Sequence, residues 1–92
     1  GFQAMGKTSD ILDLGNLSSK FESFGFHTEL CDGHKLDEVL DALRKCDKVD
    51  VPAVLIAKTV KGKGVTLFEN NNDWHYMKMT DEIYNNAMKE LV

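Results

Sequence analysis

Ninety-two residues suffice for one small domain, and 42% apolar with 28% charged residues is the make-up of an ordinary globular chain. A net charge of -4 speaks against general nucleic-acid binding, which needs a surplus of Lys and Arg facing phosphates, and no apolar run is long enough to span a bilayer or form a signal-peptide core. Cys31 and Cys46 are too far apart for a C-x-x-C redox or zinc pattern, so we expect buried, reduced thiols and a cytoplasmic setting with no membrane partner.

Position 1 is Gly rather than Met, and the chain reads as a piece of a longer polypeptide. After the opening residues, Asn16 caps a predicted helix from Leu17 to Phe24, with Leu17, Phe21 and Phe24 at helical spacing and Gly25 as its left-handed stop. Phe26 to Cys31 reads as a strand and Asp32-Gly33-His34 as a turn. Leu36, Val39, Leu40 and Leu43 then mark the apolar face of a helix ending near Cys46, where Arg44, Lys45 and Lys48 suit the helix dipole. Ala53 to Ala57 is a continuous apolar run, the pattern of a strand covered on both faces, so strand, helix and strand make a parallel, right-handed βαβ unit. No periodicity persists from Thr59 to Met79, and a stretch that long without elements is usually functional. Thr80 caps a final helix whose face carries Ile83, Ala87, Met88 and Leu91, with Asp81 and Glu82 in its first turn.

The fold class expected is α/β, with two parallel strands and three helices as an incomplete parallel sheet with flanking helices. Such a layer needs further strands to partner its edges, from additional sequence or another chain, and we expect an oligomer.

The chemistry lies in two places. Lys58, Lys61 and Lys63 surround Gly62 and Gly64, a combination in which backbone N–H groups and ammonium charge meet an anion. Leu67 stands where a G-x-G-x-x-G fingerprint needs its third glycine, and no helix opens after it, so a dinucleotide site fails on context. By itself the loop is more simply a solvated turn. His75 beside Trp74 has the chemistry to donate to a phosphate or a substrate oxygen, although a surface His next to a packed Trp is the commoner arrangement. His27 on a strand and His34 in a turn read as structural or solvent-facing. Cys31 and His34 lack partners at zinc-site spacing.

The opening Gly1-Phe-Gln-Ala-Met-Gly-Lys-Thr-Ser9, the run on to Leu17, Phe24-Gly-Phe26, Asp32-Gly-His34, Ala57-Lys-Thr-Val-Lys-Gly-Lys-Gly-Val65, Glu69-Asn-Asn-Asn72 and Trp74-His75 together resemble the later part of the diphosphate-binding domain of transketolases. They look most like the N-terminal subunit of split bacterial transketolases. The resemblance covers essentially the whole chain and implies that residues 1–92 are the C-terminal part of a thiamine diphosphate-binding fold. It implies a transferase moving a two-carbon ketol unit between sugar phosphates, with thiamine diphosphate held through magnesium or calcium. By the same match Phe2 supplies a backbone carbonyl to the metal, Ala4 lies near the cofactor, Gly6 turns the chain, Lys61 and Gly62 line the cofactor loop, and His75 is the catalytic side chain reaching diphosphate and substrate.

The metal-binding Asn of the family would lie before Gly1. The Gly-Asp-Gly element, the upstream substrate histidines and the pyrimidine-binding domain with its activating glutamate are not in these residues. The expected partners are therefore the remainder of the diphosphate-binding domain, a pyrimidine-binding domain or subunit, and a sugar-phosphate substrate. Tyr76 stands where the family usually has Gly, which implies a narrowed or reoriented pocket. Two other readings fit the residues: another thiamine enzyme such as a deoxyxylulose-phosphate synthase, and a catalytically silent interaction fragment.

Overall fold

A computed structural model describes residues 1–91 of the chain. They form two compact units, one from Leu14 to Thr59 and the other combining Gly1–Asp13 with the described residues from Val60 onward.

In the first unit, Asn16 begins the helix α2 (Leu17–Ser23), which follows the short helix α1 (Thr8–Leu12) of the other unit. The Asn16 side-chain oxygen accepts from Ser19 N at 3.1 Å, satisfying a donor that the helix cannot. At the far end Gly25, at φ +86°, lets Gly25 N donate to Glu22 O (2.9 Å) and Phe26 N to Phe21 O (3.1 Å). This is a Schellman stop, and its usual apolar contact is made by Phe21 and Phe26, whose rings meet edge-on at 5.5 Å.

The chain then enters β3 (His27–Asp32), crosses through α3 (Leu36–Cys46) and returns as β4 (Ala53–Lys58), parallel to β3 with His27 opposite Ala53 and Asp32 opposite Lys58. Bonds from His27 N to Pro52 O (2.9 Å) and from Gly33 N to Lys58 O (2.7 Å) extend the pairing at both ends. His27 Nε2 lies 2.8 Å from Glu29 Oε1, so this histidine is engaged within its own strand. At the turn, Asp32 Oδ1 accepts from His34 N (2.9 Å). Lys35, at the α3 N-cap position, offers no side-chain cap. Glu38 serves instead: one oxygen accepts from Asp32 N at 2.9 Å and the other from Lys35 Nζ at 2.8 Å. This is the reciprocal half of a capping box, reaching back three residues further than usual.

Burial follows the width of the sheet. Two strands lie about 4.8 Å apart, whereas a helix with side chains is about 10 Å across, so a two-strand layer covers only part of a helix stripe. In α3 the buried residue is Ala42, whereas Leu36, Leu40 and Leu43 of the expected apolar face stay exposed. Likewise Val54, Leu55 and Ile56 of β4 are only half-buried, and Leu30 is exposed. The face carrying Leu30, Ile56 and Lys58 opens into a cleft of about 410 Å³, bordered by Gly15 to Ser18. Cys31 is buried, and burial, followed by the charges of Glu38 and Asp32, pushes its thiol pKa up; Cys46 is half-buried and both thiols are unpaired.

In the second unit, β1 (Phe2–Gln3) and β2 (Gly6–Lys7) form a two-stranded antiparallel hairpin absent from the sequence expectation. The expected final helix is present as α4 (Asp81–Leu91), with Thr80 Oγ1 accepting from Ile83 N at 3.3 Å and Ala87 buried. No helix among the described residues is long and apolar enough to cross a membrane.

Glu38 generates a pH test. The hydrogen bond from Lys35, then that from Asp32 N, hold its folded-state pKa below the ordinary 4.5. A depressed carboxyl pKa stabilises above the ordinary value and loses that effect as pH falls through the folded-state value. Glu38→Gln should therefore lower the thermal unfolding midpoint near neutral pH, and the gap to wild type should close on acidification below pH 4.5. Thermal melts across pH check this; a gap that persists in acid assigns the loss to packing.

Candidate functional site

The hairpin determines where the first two candidate residues point. Thr8 N donates to Gly1 O at 2.9 Å, and Phe2 faces Lys7 in the register. Antiparallel pairs alternate between bonded and non-bonded, so Phe2 and Lys7 are a non-hydrogen-bonded pair and the Phe2 carbonyl is directed away from β2. It is available as a ligand. Ala4 lies in the exposed two-residue turn that follows.

The segment after Val60 is a closed loop rather than an extended tether. Lys63 N donates to Val60 O, Val65 N to Gly62 O, and Asn70 N returns to Lys61 O at 2.9 Å. Asn70 adopts φ +52°, a conformation its side chain tolerates. Gly62 sits at φ +71°, and a Cβ there would fall on the Phe68 carbonyl, so glycine is required by the turn itself.

Two carboxylates bond to backbone amides of the loop. Glu69 Oε1 accepts from Gly64 N (3.1 Å) and lies 3.4 Å from Lys63 Nζ, while Glu90 Oε2, reaching from α4, accepts from Thr66 N at 2.7 Å. The bonds from Thr66 hold the Glu90 pKa down. The Gly62-Lys63-Gly64 amides are thus largely committed to the protein's own acceptors and do not form a ready anion cradle. Among the described residues Lys63 is ion-paired and Lys61 is not. Half-buried Lys61 lines a cavity of about 350 Å³ with Gly62, Phe68, Trp74, Met77 and Met79. One cation among two aromatic rings and two thioethers suits an anionic group attached to a flat apolar body.

Beyond the loop, Asn71 caps a single 3₁₀ turn from Asn72 to His75, its Oδ1 accepting from Asp73 N at 3.0 Å. Trp74 packs edge-on against Phe68 at 4.4 Å and donates its indole N–H to Leu67 O at 3.1 Å. His75 is exposed at the end of this turn and does not line the Lys61 cavity. Tyr76, 83% exposed, sets its ring edge-on to the imidazole at 4.6 Å. The hairpin and the 3₁₀ turn are joined by Asn72, whose Nδ2 donates to Ala4 O at 3.2 Å, while its Oδ1 is buried without a hydrogen-bond partner among the described residues.

The structure therefore places Phe2, Ala4, Lys61, Gly62 and His75 in one compact unit. Ala4 is tied to the His75 segment, and Lys61 and Gly62 share a cavity with Trp74. Asn72, Glu69 and Glu90 were not anticipated as site residues; Glu69-Asn-Asn-Asn72 entered only as one of the segments that carry the resemblance, and Glu90 not at all. No group of three His, Cys, Asp or Glu residues that could hold a metal ion occurs among the described residues.

The architecture, a small parallel sheet with flanking helices, is consistent with part of a thiamine diphosphate-binding fold. No protein-family model matches the chain. Over 90 residues, 97% of its length, it is 34% identical to the 6-deoxy-6-sulfo-D-fructose transketolase subunit of Clostridium sp. (strain MSTE9), covering 33% of that protein. It is also 34% identical over 89 residues to an apulose-4-phosphate transketolase subunit of Actinobacillus succinogenes, covering 97% of this chain and 32% of the relative. Mouse transketolase matches at 33% over 70 residues, 76% of this chain and 11% of the enzyme. The chain is thus similar over nearly its whole length to transketolase subunits, consistent with a transketolase-family fragment, and it spans about a third of the length of the curated subunits it matches.

Gly62→Ala should destabilise the loop, since a left-handed non-glycine residue alone costs about 1–3 kcal/mol and the new methyl meets the Phe68 backbone. A fall in the unfolding midpoint, set against an unchanged midpoint for the exposed Lys78→Ala, is the expected result.

Proposed function

We propose that this chain is the C-terminal part of the diphosphate-binding domain of a transketolase-type transferase. The complete enzyme moves a two-carbon ketol unit from a ketose to an aldose, both carrying an anionic group such as phosphate. The observation that carries this reading is that Phe2, Ala4, Lys61, Gly62 and His75, named from the family resemblance and separated by most of the chain, belong to one compact unit.

Thiamine diphosphate, when bound, supplies the electron sink that this chemistry needs. The residues present fit part of its site. The outward Phe2 carbonyl would ligate magnesium or calcium, Lys61, which lines the cavity beside Trp74, would meet the diphosphate charge, and His75 would donate an N–H to a diphosphate oxygen and to the substrate. The remaining metal ligands, the pyrimidine pocket and the upstream histidines belong to the rest of the domain and to a pyrimidine-binding domain or subunit. The working protein is thus an oligomeric assembly, and we place it in the cytoplasm. The relatives named above are transketolases and transketolase subunits, which favours neither a deoxyxylulose-phosphate synthase nor a silent interaction fragment.

Two experiments test this. Residues 1–92 alone should show no appreciable binding in calorimetric titration with thiamine diphosphate and magnesium; tight metal-dependent binding would contradict the reading as part of a larger site. In the reconstituted enzyme, His75→Ala should remove a charge-assisted hydrogen bond, a loss of roughly 1.5–3 kcal/mol or about tenfold to over a hundredfold in turnover or cofactor affinity. The unfolding midpoint should hold, because His75 is exposed on a short turn. His34→Ala serves as control, and equal activity of His75→Ala and wild type removes His75 from the site.

A further inference from the structure

Asn72 joins the two parts of the unit that carry the candidate residues, and it does so unequally. Its Nδ2 donates to Ala4 O at 3.2 Å across sixty-eight positions of sequence. A backbone carbonyl can only accept, so Ala4 determines which end of the amide faces the hairpin. The other end, Oδ1, is then turned into a buried position where it has no hydrogen-bond partner among the described residues. Buried polar atoms are nearly always paired, so one left open in a folded chain calls for an explanation. Neighbouring Asn71 shows the contrast: its Oδ1 accepts from Asp73 N (3.0 Å) and its Nδ2 donates to Leu67 O (3.4 Å), so both ends serve the local turn.

The placement of the clamp narrows its role. Ala4 occupies the turn between Phe2–Gln3 and Gly6–Lys7, so holding the Ala4 carbonyl holds the hairpin, and with it the direction of the Phe2 carbonyl. Asn72 is also the first residue of the 3₁₀ turn that ends at His75. One amide therefore sets the distance between a backbone oxygen and an imidazole that are remote in sequence. Two-residue strands cannot hold such a spacing by themselves.

We infer that Asn72 is the positioning residue of this site: it clamps the Ala4 turn so that the Phe2 carbonyl and His75 are presented together. Its open Oδ1 receives an N–H or O–H donor when the site is filled. The inference rests on the functional reading above for what fills the site, but the clamp stands apart from it.

The test uses the full-length chain reconstituted with its partner domain or subunit, comparing wild type with Asn72→Ala, which removes both ends of the amide, and Asn72→Asp, which keeps the volume and the acceptor but loses the donor. Thr80→Ala, which removes only the cap on Ile83 N, is the stability control. Without cofactor, amide hydrogen exchange of residues 2–7 should quicken in both Asn72 variants and stay at the wild-type rate in Thr80→Ala. With thiamine diphosphate and magnesium, the dissociation constant should rise about two- to tenfold in both Asn72 variants, the span of one lost hydrogen bond, and not in Thr80→Ala. Wild-type exchange in both Asn72 variants overturns the clamp. Quicker exchange with unchanged cofactor affinity overturns the positioning role, as does equal weakening by Thr80→Ala. If the wild-type assembly itself fails to bind thiamine diphosphate, the functional reading fails while hairpin exchange still decides the clamp.

Discussion

Two parallel strands cannot be joined by a tight turn, and the organisation of residues 14–59 descends from that constraint. A crossover of a dozen or more residues must carry the chain back to the start of the next strand, and α3 is that crossover. The crossover needs a firm beginning, which Glu38 provides by bonding Asp32 N at the end of β3. With α2 and α3 both packed on β3 and β4, the two-strand layer has helical cover, yet its width leaves Leu30, Leu36, Leu40 and Leu43 exposed. β3 and β4 pair only with each other among the described residues, so the open edges and the uncovered apolar surface have the same origin.

Where periodicity and capping act locally, the sequence was legible. Asn16 and Gly25 bracket α2 through bonds spanning no more than five positions, and Thr80 does the same at the start of α4. The apolar run at Ala53 marks β4 because few other structures use five such residues in succession. It overstated burial, since a run of that kind records what the fold expects to cover it, not what two strands can cover. The face of α3 was legible in part: Val39 is half-buried, but the buried residue is Ala42, too small to stand out in the pattern.

The candidate site was legible only through resemblance. The 3₁₀ turn has too few residues for any period to show, and the hairpin strands have two residues each. The bonds that shape the site, Asn72 to Ala4 and Thr66 to Glu90, join residues whose types give no sign of each other. Even the glycine pattern has a different meaning in three dimensions: Gly62 is demanded by the passage of the Phe68 backbone, and of the amides expected to meet an anion, Lys63 N bonds Val60 O and Gly64 N bonds Glu69 instead. Lys63 is paired with Glu69, whereas Lys61 lines the cavity beside Trp74, a distinction that composition cannot make.

The discontinuous make-up of the second unit has a kinetic consequence. The βαβ segment is contiguous, so its contacts close over short separations, whereas Gly1–Asp13 must find partners beyond Val60 only after the intervening chain has been gathered. Loop-closure entropy delays such pairing, and rates fall as contacts become more distant in sequence. The order of events is therefore helix and parallel strands first, with the Ala4 to Asn72 junction last, a sequence that pulsed hydrogen exchange during refolding would resolve. The unit of this chain that holds the candidate residues is then the one that closes last.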